Sequence, residues 1–138
     1  MIVLDTNVIA ALMRAEPDAA TRSWLDRQAK DEVWTTAISV FETRAGLEIL
    51  PAGRRRQRLE GTFESVLSED FENRVLPFDR AAAEAAGALL ARRQRIGRPV
   101  ELRDTQIAGI VVTNNARLAT FNVRHFEDLE IELIVPRR

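Results

Sequence analysis

Met1–Asn7, with the sequence MIVLDTN, is the stretch that decides the fold. Residues 2–4 are apolar and strand-forming, and a helical pattern of apolar residues begins at Val8. Asp5 stands at the junction between the two. In an open α/β sheet, ligands bind at the edge formed by the carboxyl ends of the strands. Because a carboxylate is costly to bury without a partner, we expect later segments of the chain to bring groups that interact with Asp5.

Strand and helix patterns alternate along the rest of the chain. The predicted strands lie at residues 2–4, 33–35, 74–76, 117–120 and 131–135. The predicted helices lie at residues 8–13, 17–28, 37–50, 54–70, 79–95 and 102–114. Such alternation indicates βαβ units with a parallel sheet. We therefore predict an α/β fold in three layers, with a central, mostly parallel twisted sheet of four or five strands flanked by helices, in a single domain spanning residues 1–138.

Several helix boundaries are marked by the residues that helices prefer at their ends. Pro17 is predicted to be the first residue of the second helix. Thr36 and Asp79 are predicted N-caps of the third and fifth helices. Gly97, followed by Pro99, is a stop signal for the fifth helix. In the third helix, residues at helical spacing are expected to face the core, namely Ile38, Phe41, Ala45 and Ile49.

The composition is typical of a globular protein and excludes several classes of protein and of functional site. Of the 138 residues, 46% are hydrophobic and 30% are charged. No apolar run approaches the ~20 residues that a membrane span requires. Cysteine is absent, which excludes disulfide frameworks and thiolate sites and fits a reducing compartment. Met1 leads directly into the first strand and leaves no room for a signal peptide, so we expect a cytoplasmic protein without membrane contact.

The arginines are the informative part of the charge. The net charge is −1, so a polyanionic partner is not implied by the total, but all of the 20 basic residues except Lys30 are arginine. Four of them, at positions 54, 55, 56 and 58, lie in the first turns of the predicted fourth helix. The helix dipole disfavours positive charge at that end. The Arg54–Arg58 cluster therefore indicates either a groove for RNA, a site for an acidic partner segment, or a solvated face.

The chemistry left to the chain is that of carboxylates. With no cysteine and one histidine, His125, tetrahedral zinc sites and most nucleophile–base pairs are excluded. Asp5, Glu42 and Asp104 follow strands or begin helices at the predicted carboxyl edge, with Asn122 as a weaker fourth. Carboxylates that share a pocket repel one another unless a cation lies between them. All-oxygen ligands favour Mg²⁺, with Mn²⁺ as a substitute.

A hard cation at this edge would activate water for in-line attack on a phosphodiester, and Thr6 and Asn7 are suited to support Asp5 by hydrogen bonds. Simpler interpretations remain open at this stage. Residues 5–7 also suit a strand-to-helix turn with an N-cap. Asp104 is favourable to the helix dipole without any metal, and Glu42 also suits the exposed side of an amphipathic helix.

The order and spacing of five pieces of sequence identify a family. The chain resembles the PIN-domain proteins, and most closely the FitB-like group of VapC toxins from bacterial toxin–antitoxin pairs. The resemblance spans nearly the whole chain and is carried by residues 2–7, 36–46, 74–79, 97–99 with Asp104, Ile107 and Ala108, and 118–126.

This resemblance implies a magnesium-dependent ribonuclease that leaves 5′-phosphate and 3′-hydroxyl ends. Asp5, Glu42 and Asp104 match the family's acidic ligand positions. Asn122 falls where the family has Asp or Asn, and Thr6 matches its hydroxyl position beside the first Asp. It also implies a homodimer, a cognate VapB-type antitoxin, and binding to promoter DNA only through that antitoxin.

The chain departs from the family pattern at two positions. Phe121 stands where many members carry Arg, and His125 where many carry Asp. Three carboxylates still suffice for one Mg²⁺, which keeps several waters, whereas a second metal is less well supported. The departures leave a second hypothesis open, in which the protein is a non-catalytic module that only binds an antitoxin.

Overall fold

The strands form one five-stranded sheet in which every neighbouring pair is parallel. We analysed a computed structural model that describes residues 1–98 and 101–137. The strands are β1 Ile2–Leu4, β2 Val33–Thr36, β3 Val75–Leu76, β4 Arg117–Ala119 and β5 Leu133–Ile134. Their order across the sheet is β3-β2-β1-β4-β5. The predicted α/β class with a central parallel sheet is therefore confirmed.

The strand order places β1 at the centre of the sheet. Val3 pairs with Trp34 of β2 on one side and with Leu118 of β4 on the other. The chain runs outward from β1 in both directions, so the strand order reverses beside β1, and such a reversal is where open α/β sheets bind ligands. The backbone N–H of Asp5 donates to the carbonyl of Ala119 at 2.9 Å. That bond brings the carboxyl ends of β1 and β4 together at this edge.

Within residues 1–98 and 101–137, six α-helices and three short helical turns connect the strands. The helices are α1 Thr6–Leu12, α2 Ala19–Asp26, α3 Ala37–Ile49, α4 Arg54–Ser65, α5 Arg80–Arg95 and α6 Leu102–Thr113. The turns are the 3₁₀ segments Lys30–Glu32 and Val123–His125 and the π-helical segment Val66–Asp70. In the described part of the chain, no helix has the length and apolar character needed to cross a membrane.

The capping predictions for α3 and α5 are confirmed. Thr36 Oγ1 accepts a hydrogen bond from the Ser39 backbone N–H at 3.0 Å, and Asp79 Oδ1 accepts one from Ala82 at 2.9 Å. Gly97 adopts φ +69°, the left-handed conformation that glycine tolerates best, just beyond the end of α5. Pro99, the other predicted stop signal, lies outside the described residues.

Two predicted helix starts and one helix end are wrong. Helix α1 begins at Thr6 instead of Val8, because the Asp5 carboxylate caps it. Helix α2 begins at Ala19, because Asp18 is its N-cap, and Pro17 precedes the helix instead of opening it. The fourth helix ends as an α-helix at Ser65 and continues as the π-helical turn, so it is not one regular helix to residue 70.

The core lies in two apolar clusters, and β1 contributes to both. Ile2 and Leu4 belong to the cluster that contains Trp24 and Phe63, whereas Val3 belongs to the cluster that contains Ile107. Alternate residues of a strand point to opposite faces of a sheet. A strand buried on both sides therefore reads as an unbroken apolar run, which is the pattern of residues 2–4.

The predicted core face of α3 is wrong in part. Phe41 is 60% exposed and Ile49 is 82% exposed, although Ile38 packs against a core cluster. The residues of α3 that are buried are Ser39 and Leu47. Ser39 is a polar residue in a buried position, where its hydroxyl contacts those of Thr6 and Thr36 at the sheet edge. Apolar spacing alone therefore selected a face of α3 of which only part packs against the core.

Helices α5 and α6 approach each other closely at Gly109. A Cβ atom built at this position would lie 2.6 Å from the Ala82 carbonyl oxygen and 2.7 Å from the Ala86 Cβ. A contact of that length with backbone of a neighbouring helix requires the helices to separate. Gly87, on the exposed side of α5, has no such neighbour within 4 Å, so it offers a matched control.

We expect Gly109→Ala to lower the free energy of unfolding by about 1–3 kcal/mol, because added volume in a packed interface forces backbone shifts. Gly87→Ala is expected to raise it by up to about 1 kcal/mol, because alanine loses less backbone entropy than glycine in a helix. Urea denaturation followed by circular dichroism measures both. Equal effects of the two variants would contradict this account of the α5–α6 contact.

Candidate active site

Asp5 is buried at the carboxyl end of β1 with both carboxylate oxygens hydrogen-bonded. Its side chain is 3% exposed. Oδ1 accepts from the Thr6 backbone N–H at 2.8 Å, and Oδ2 accepts from the Thr120 hydroxyl at 2.8 Å. Thr120 follows β4 as Asp5 follows β1. The N-cap interpretation of Asp5 is thus confirmed for one oxygen, while the other oxygen ties the ends of the two central strands together.

The surroundings of Asp5 disfavour the ionised form of its carboxylate. Burial raises the pKa of Asp5 from its ordinary value of 3.8 to about 6, and the hydrogen bonds from Thr120 and Thr6 oppose that rise. Repulsion from Asp104 and Glu42 raises the pKa further. None of the ion pairs within residues 1–98 and 101–137 includes Asp5. The three carboxylates therefore share one edge, and the most buried of them lacks a cationic partner.

Glu42 reaches this edge from α3 through Thr6. Thr6 Oγ1 lies 2.9 Å from Glu42 Oε1 and 2.9 Å from the Ser39 hydroxyl. Since Thr6 also donates its backbone N–H to Asp5, one residue links the first two carboxylates. On its other side, Glu42 Oε2 lies 3.8 Å from the guanidinium Nε of Arg103. The interpretation of Glu42 as a free surface acid does not fit these contacts.

Asp104 lies in the first turn of α6 and contacts the sole histidine of the chain. Asp104 Oδ2 is 2.7 Å from His125 Nδ1. Partial burial is the largest influence on the pKa of Asp104 and raises it, while the hydrogen bond to His125 opposes that rise. The contact spans from α6 to the 3₁₀ turn after β4, so it belongs to the same sheet edge as Asp5.

Asn122 and Phe121 take different places beside the carboxylates. Asn122 is exposed, and its backbone N–H donates to Thr120 Oγ1 at 3.0 Å. Its side chain makes no hydrogen bond to the part of the protein that the structure describes. Phe121 packs against the cluster that contains Phe63, and the Arg137 guanidinium lies 4.9 Å from the centre of its ring. An arginine thus lies next to the position where many family members carry one.

The donor set fits a hard cation, although the side chains are not drawn together around one point. Among the described residues, no three His, Cys, Asp or Glu side chains are close enough to hold a metal ion jointly. The groups at this edge are nevertheless carboxylate and hydroxyl oxygens, which suit Mg²⁺, and Mg²⁺ is usually bound by one or two carboxylates with several waters retained. Asp5, buried and unpaired with a cation, is the group that such an ion would satisfy.

Two hydroxyl groups at this edge were missed in the sequence. Thr120 and Ser39 contact Asp5 and Thr6, respectively. The signal for Thr120 was present, because a polar residue directly after a buried strand is the same feature that singled out Asp5. Ser39 had no comparable signal, since a serine in a helix is ordinarily a solvated residue.

We expect Asp5→Asn to gain stability relative to the wild type as the pH rises, in the presence of a chelator. Removing the buried charge adds up to about 3 kcal/mol to the free energy of unfolding at pH 8, from a pKa difference of about two between the folded and unfolded states. The pKa of Asp5 is higher in the folded state than in the unfolded state, so the folded wild type binds more protons in this pH range. The loss of stability caused by the buried charge therefore disappears as the pH falls from about 6 towards 4. The advantage of the variant should vanish over the same range.

Urea denaturation of both proteins at several pH values between 4 and 8 measures this difference. Asp26→Asn serves as the control, because Asp26 is exposed and its substitution makes the same chemical change without removing a buried charge. A constant difference between Asp5→Asn and the wild type over the whole range would contradict the raised pKa of Asp5.

Comparisons with known proteins agree with this geometry. The family model described as PIN domain matches residues 2–132. "Plasmid stability protein StbB" of Pseudomonas syringae pv. tomato is 39% identical over 99% of this chain and 98% of its own. "VapC ribonuclease Y4jK" of Sinorhizobium fredii is 38% identical over 99% and 97%. The solved structure "FitAB bound to IR36 DNA fragment" superposes with a TM-score of 0.87 at 29% identity, covering 99% of this chain and 95% of the other. The chain therefore belongs to the PIN-domain family, among its VapC-type members.

Proposed function

We propose that the protein is the toxin of a toxin–antitoxin pair and acts as a metal-dependent endoribonuclease. The observation that carries the proposal is the buried Asp5 carboxylate, without a cationic partner among the described residues, at the sheet edge that it shares with Glu42 and Asp104. A relative that is named a VapC ribonuclease and aligns over nearly the whole chain supports the activity. The proposed cofactor is Mg²⁺, for which Mn²⁺ substitutes.

Asp5, Glu42 and Asp104 are the residues that would hold the cation. When bound, Mg²⁺ supplies activation of water and neutralisation of charge on the scissile phosphodiester. The chain's own groups set the orientation of its carboxylates: Thr120 holds one oxygen of Asp5, and Thr6 holds one oxygen of Glu42. We propose that Asn122, which is exposed beside Thr120, contacts the phosphate of an RNA chain.

We expect Asp5→Asn, Glu42→Gln and Asp104→Asn each to lower the rate of RNA cleavage by at least about 10²–10³-fold. Each change removes a charge that the cation requires, and metal stabilisation of the transition state is worth several kcal/mol. Cleavage of a total RNA pool with added Mg²⁺, followed by sequencing of the new ends, measures the loss. Glu64→Gln, on the exposed side of α4, is the control and should cleave like the wild type.

A wild-type protein that binds its antitoxin but cleaves no RNA at any Mg²⁺ or Mn²⁺ concentration would contradict the ribonuclease proposal. It would support the second hypothesis, the non-catalytic module. A carboxylate variant that folds and cleaves normally would remove that residue from the mechanism.

The antitoxin is proposed to bind a groove between α1, α3 and α4. The groove is lined by apolar side chains, among them Met13, Leu47 and Leu59, with three arginines and Glu42 beside them. Two of these arginines, Arg55 and Arg58, come from the cluster at the start of α4. Apolar lining with positive charge is complementary to an amphipathic segment that carries acidic residues. We propose a VapB-type antitoxin as that partner, with promoter DNA bound only through it.

We also propose that the toxin is a homodimer. The exposed apolar side chains of Phe41 and Ile49 on α3 support this assembly, because large exposed apolar residues commonly mark protein interfaces. Neither residue lines the groove itself.

We expect Arg58→Glu to weaken antitoxin binding at least about tenfold, because it reverses a charge that faces the groove. Arg54→Glu makes the same chemical change on the same helix but outside the groove lining, so it is the matched control and should change affinity less than about threefold. Calorimetric titration with the purified cognate antitoxin measures both. Equal losses of affinity in the two variants would indicate that the Arg54–Arg58 cluster attracts the antitoxin only through its overall positive charge.

A further inference from the structure

His125 is the sole histidine of the chain and holds one oxygen of Asp104. A carboxylate in the first turn of a helix ordinarily interacts with the free N–H groups of its own helix. Asp104 differs, because within the described residues its hydrogen-bond partner is the His125 ring, 21 positions along the chain. The side chain of His125 is half exposed, so burial of the ring does not explain its position.

The direction of this hydrogen bond follows from the chemistry of the two groups. An ionised carboxylate only accepts hydrogen bonds, so with Asp104 ionised it is His125 Nδ1 that carries the hydrogen and donates it to Asp104 Oδ2. Oδ1 of Asp104 has no hydrogen-bond partner in residues 1–98 and 101–137. One oxygen is therefore fixed by the ring, and the other is left to interact with a ligand.

A buried arginine holds both ends of the contact. Arg93 is 2% exposed and forms an ion pair with Asp128 at 2.9 Å. Its Nη2 also donates to the carbonyl of His125 at 2.5 Å, and its Nη1 donates to the hydroxyl of Thr105, the residue after Asp104, at 3.0 Å. One guanidinium thus ties the turn that carries His125 to the helix that carries Asp104.

The desolvation cost of burying Arg93 with Asp128 indicates that this ion pair has a role other than stabilisation. Burying an ion pair often contributes less stability than apolar residues of the same volume would. Arg93 and Asp128 are therefore poorly explained by stability alone. They are explained by geometry, because a planar guanidinium with several donors fixes the relative position of the segments that it bridges.

We propose that His125 is a positioning residue for Asp104, fixing Oδ2 by a hydrogen bond from Nδ1 so that Oδ1 is presented to a divalent cation. This inference rests on the proposed function, because it assumes that Asp104 is a ligand. Groups that orient ligands from outside the coordination sphere typically change metal affinity by about 10–100-fold when removed. The arrangement leaves His125 itself outside that sphere.

Metal binding tests the proposal without any measurement of catalysis. Mn²⁺ titrations followed by electron paramagnetic resonance give the affinity of the wild type, His125→Asn and His125→Leu. The Nδ2 group of asparagine takes the place of Nδ1 and can donate to Asp104, whereas leucine cannot. We expect His125→Leu to bind Mn²⁺ about 10–100-fold more weakly and His125→Asn to stay within about threefold of the wild type. Circular dichroism checks that both variants fold.

The single histidine also gives a direct spectroscopic readout. In protein labelled with ¹⁵N-histidine, the long-range ¹H–¹⁵N spectrum reports which ring nitrogen carries the hydrogen, and the signals need no assignment. We expect hydrogen on Nδ1 in the wild type, with and without Mg²⁺. In Asp104→Ala the ring should lose its preference for hydrogen on Nδ1, because the acceptor is gone.

Three outcomes would overturn the proposal. The first is that His125→Leu binds Mn²⁺ like the wild type. The second is that His125→Asn binds Mn²⁺ as weakly as His125→Leu. The third is that the wild-type spectrum shows hydrogen on Nε2 alone. A wild type that binds Mn²⁺ but cleaves no RNA overturns only the proposed function, since the Mn²⁺ comparison still decides the role of His125. A wild type that binds no Mn²⁺ overturns both.

Discussion

The hydrogen bond between Thr120 and the buried Asp5 carboxylate is the interaction on which the rest of the site depends. It joins the carboxyl ends of β1 and β4 through two residues that are 115 positions apart in sequence. The same carboxylate caps α1 and so sets where Thr6 lies, and Thr6 in turn contacts Glu42. A side chain that is costly to bury thereby fixes the relative positions of β1, β4, α1 and α3.

The parts of this arrangement that follow from local chemistry were predictable from the sequence. The apolar run at residues 2–4 indicates a strand buried on both faces, and the structure assigns alternate residues to two clusters. Thr36, Asp79 and Gly97 were recognised because capping depends on a few neighbouring residues and on one backbone conformation. The family resemblance rests on the same short pieces, and for this reason the fold was predicted correctly.

What the sequence did not reveal depends on contacts between distant segments. The core face of α3 was misassigned because Ser39, a polar residue, points inward to meet Thr6, while Phe41 points outward. The role of Arg93 was equally hidden. An arginine in the last turn of a helix is ordinarily a favourable surface charge, and only the approach of Asp128 and the turn before it makes Arg93 a buried bridge.

Two features of this otherwise well-packed protein are unfavourable for folding, namely the buried Asp5 carboxylate and the buried Arg93–Asp128 ion pair. Asp5 is charged at neutral pH only against the opposition of burial and of two neighbouring carboxylates, and Arg93 is buried with Asp128 at the cost of desolvation. The sheet requires neither of these charged groups, because its stability comes from the apolar clusters on its two faces. Because folding alone would favour neutral or apolar residues at both positions, the charge of Asp5 is best explained by a cation that binds at this edge. The Arg93–Asp128 pair is best explained by the segments around Asp104 that the guanidinium holds in place.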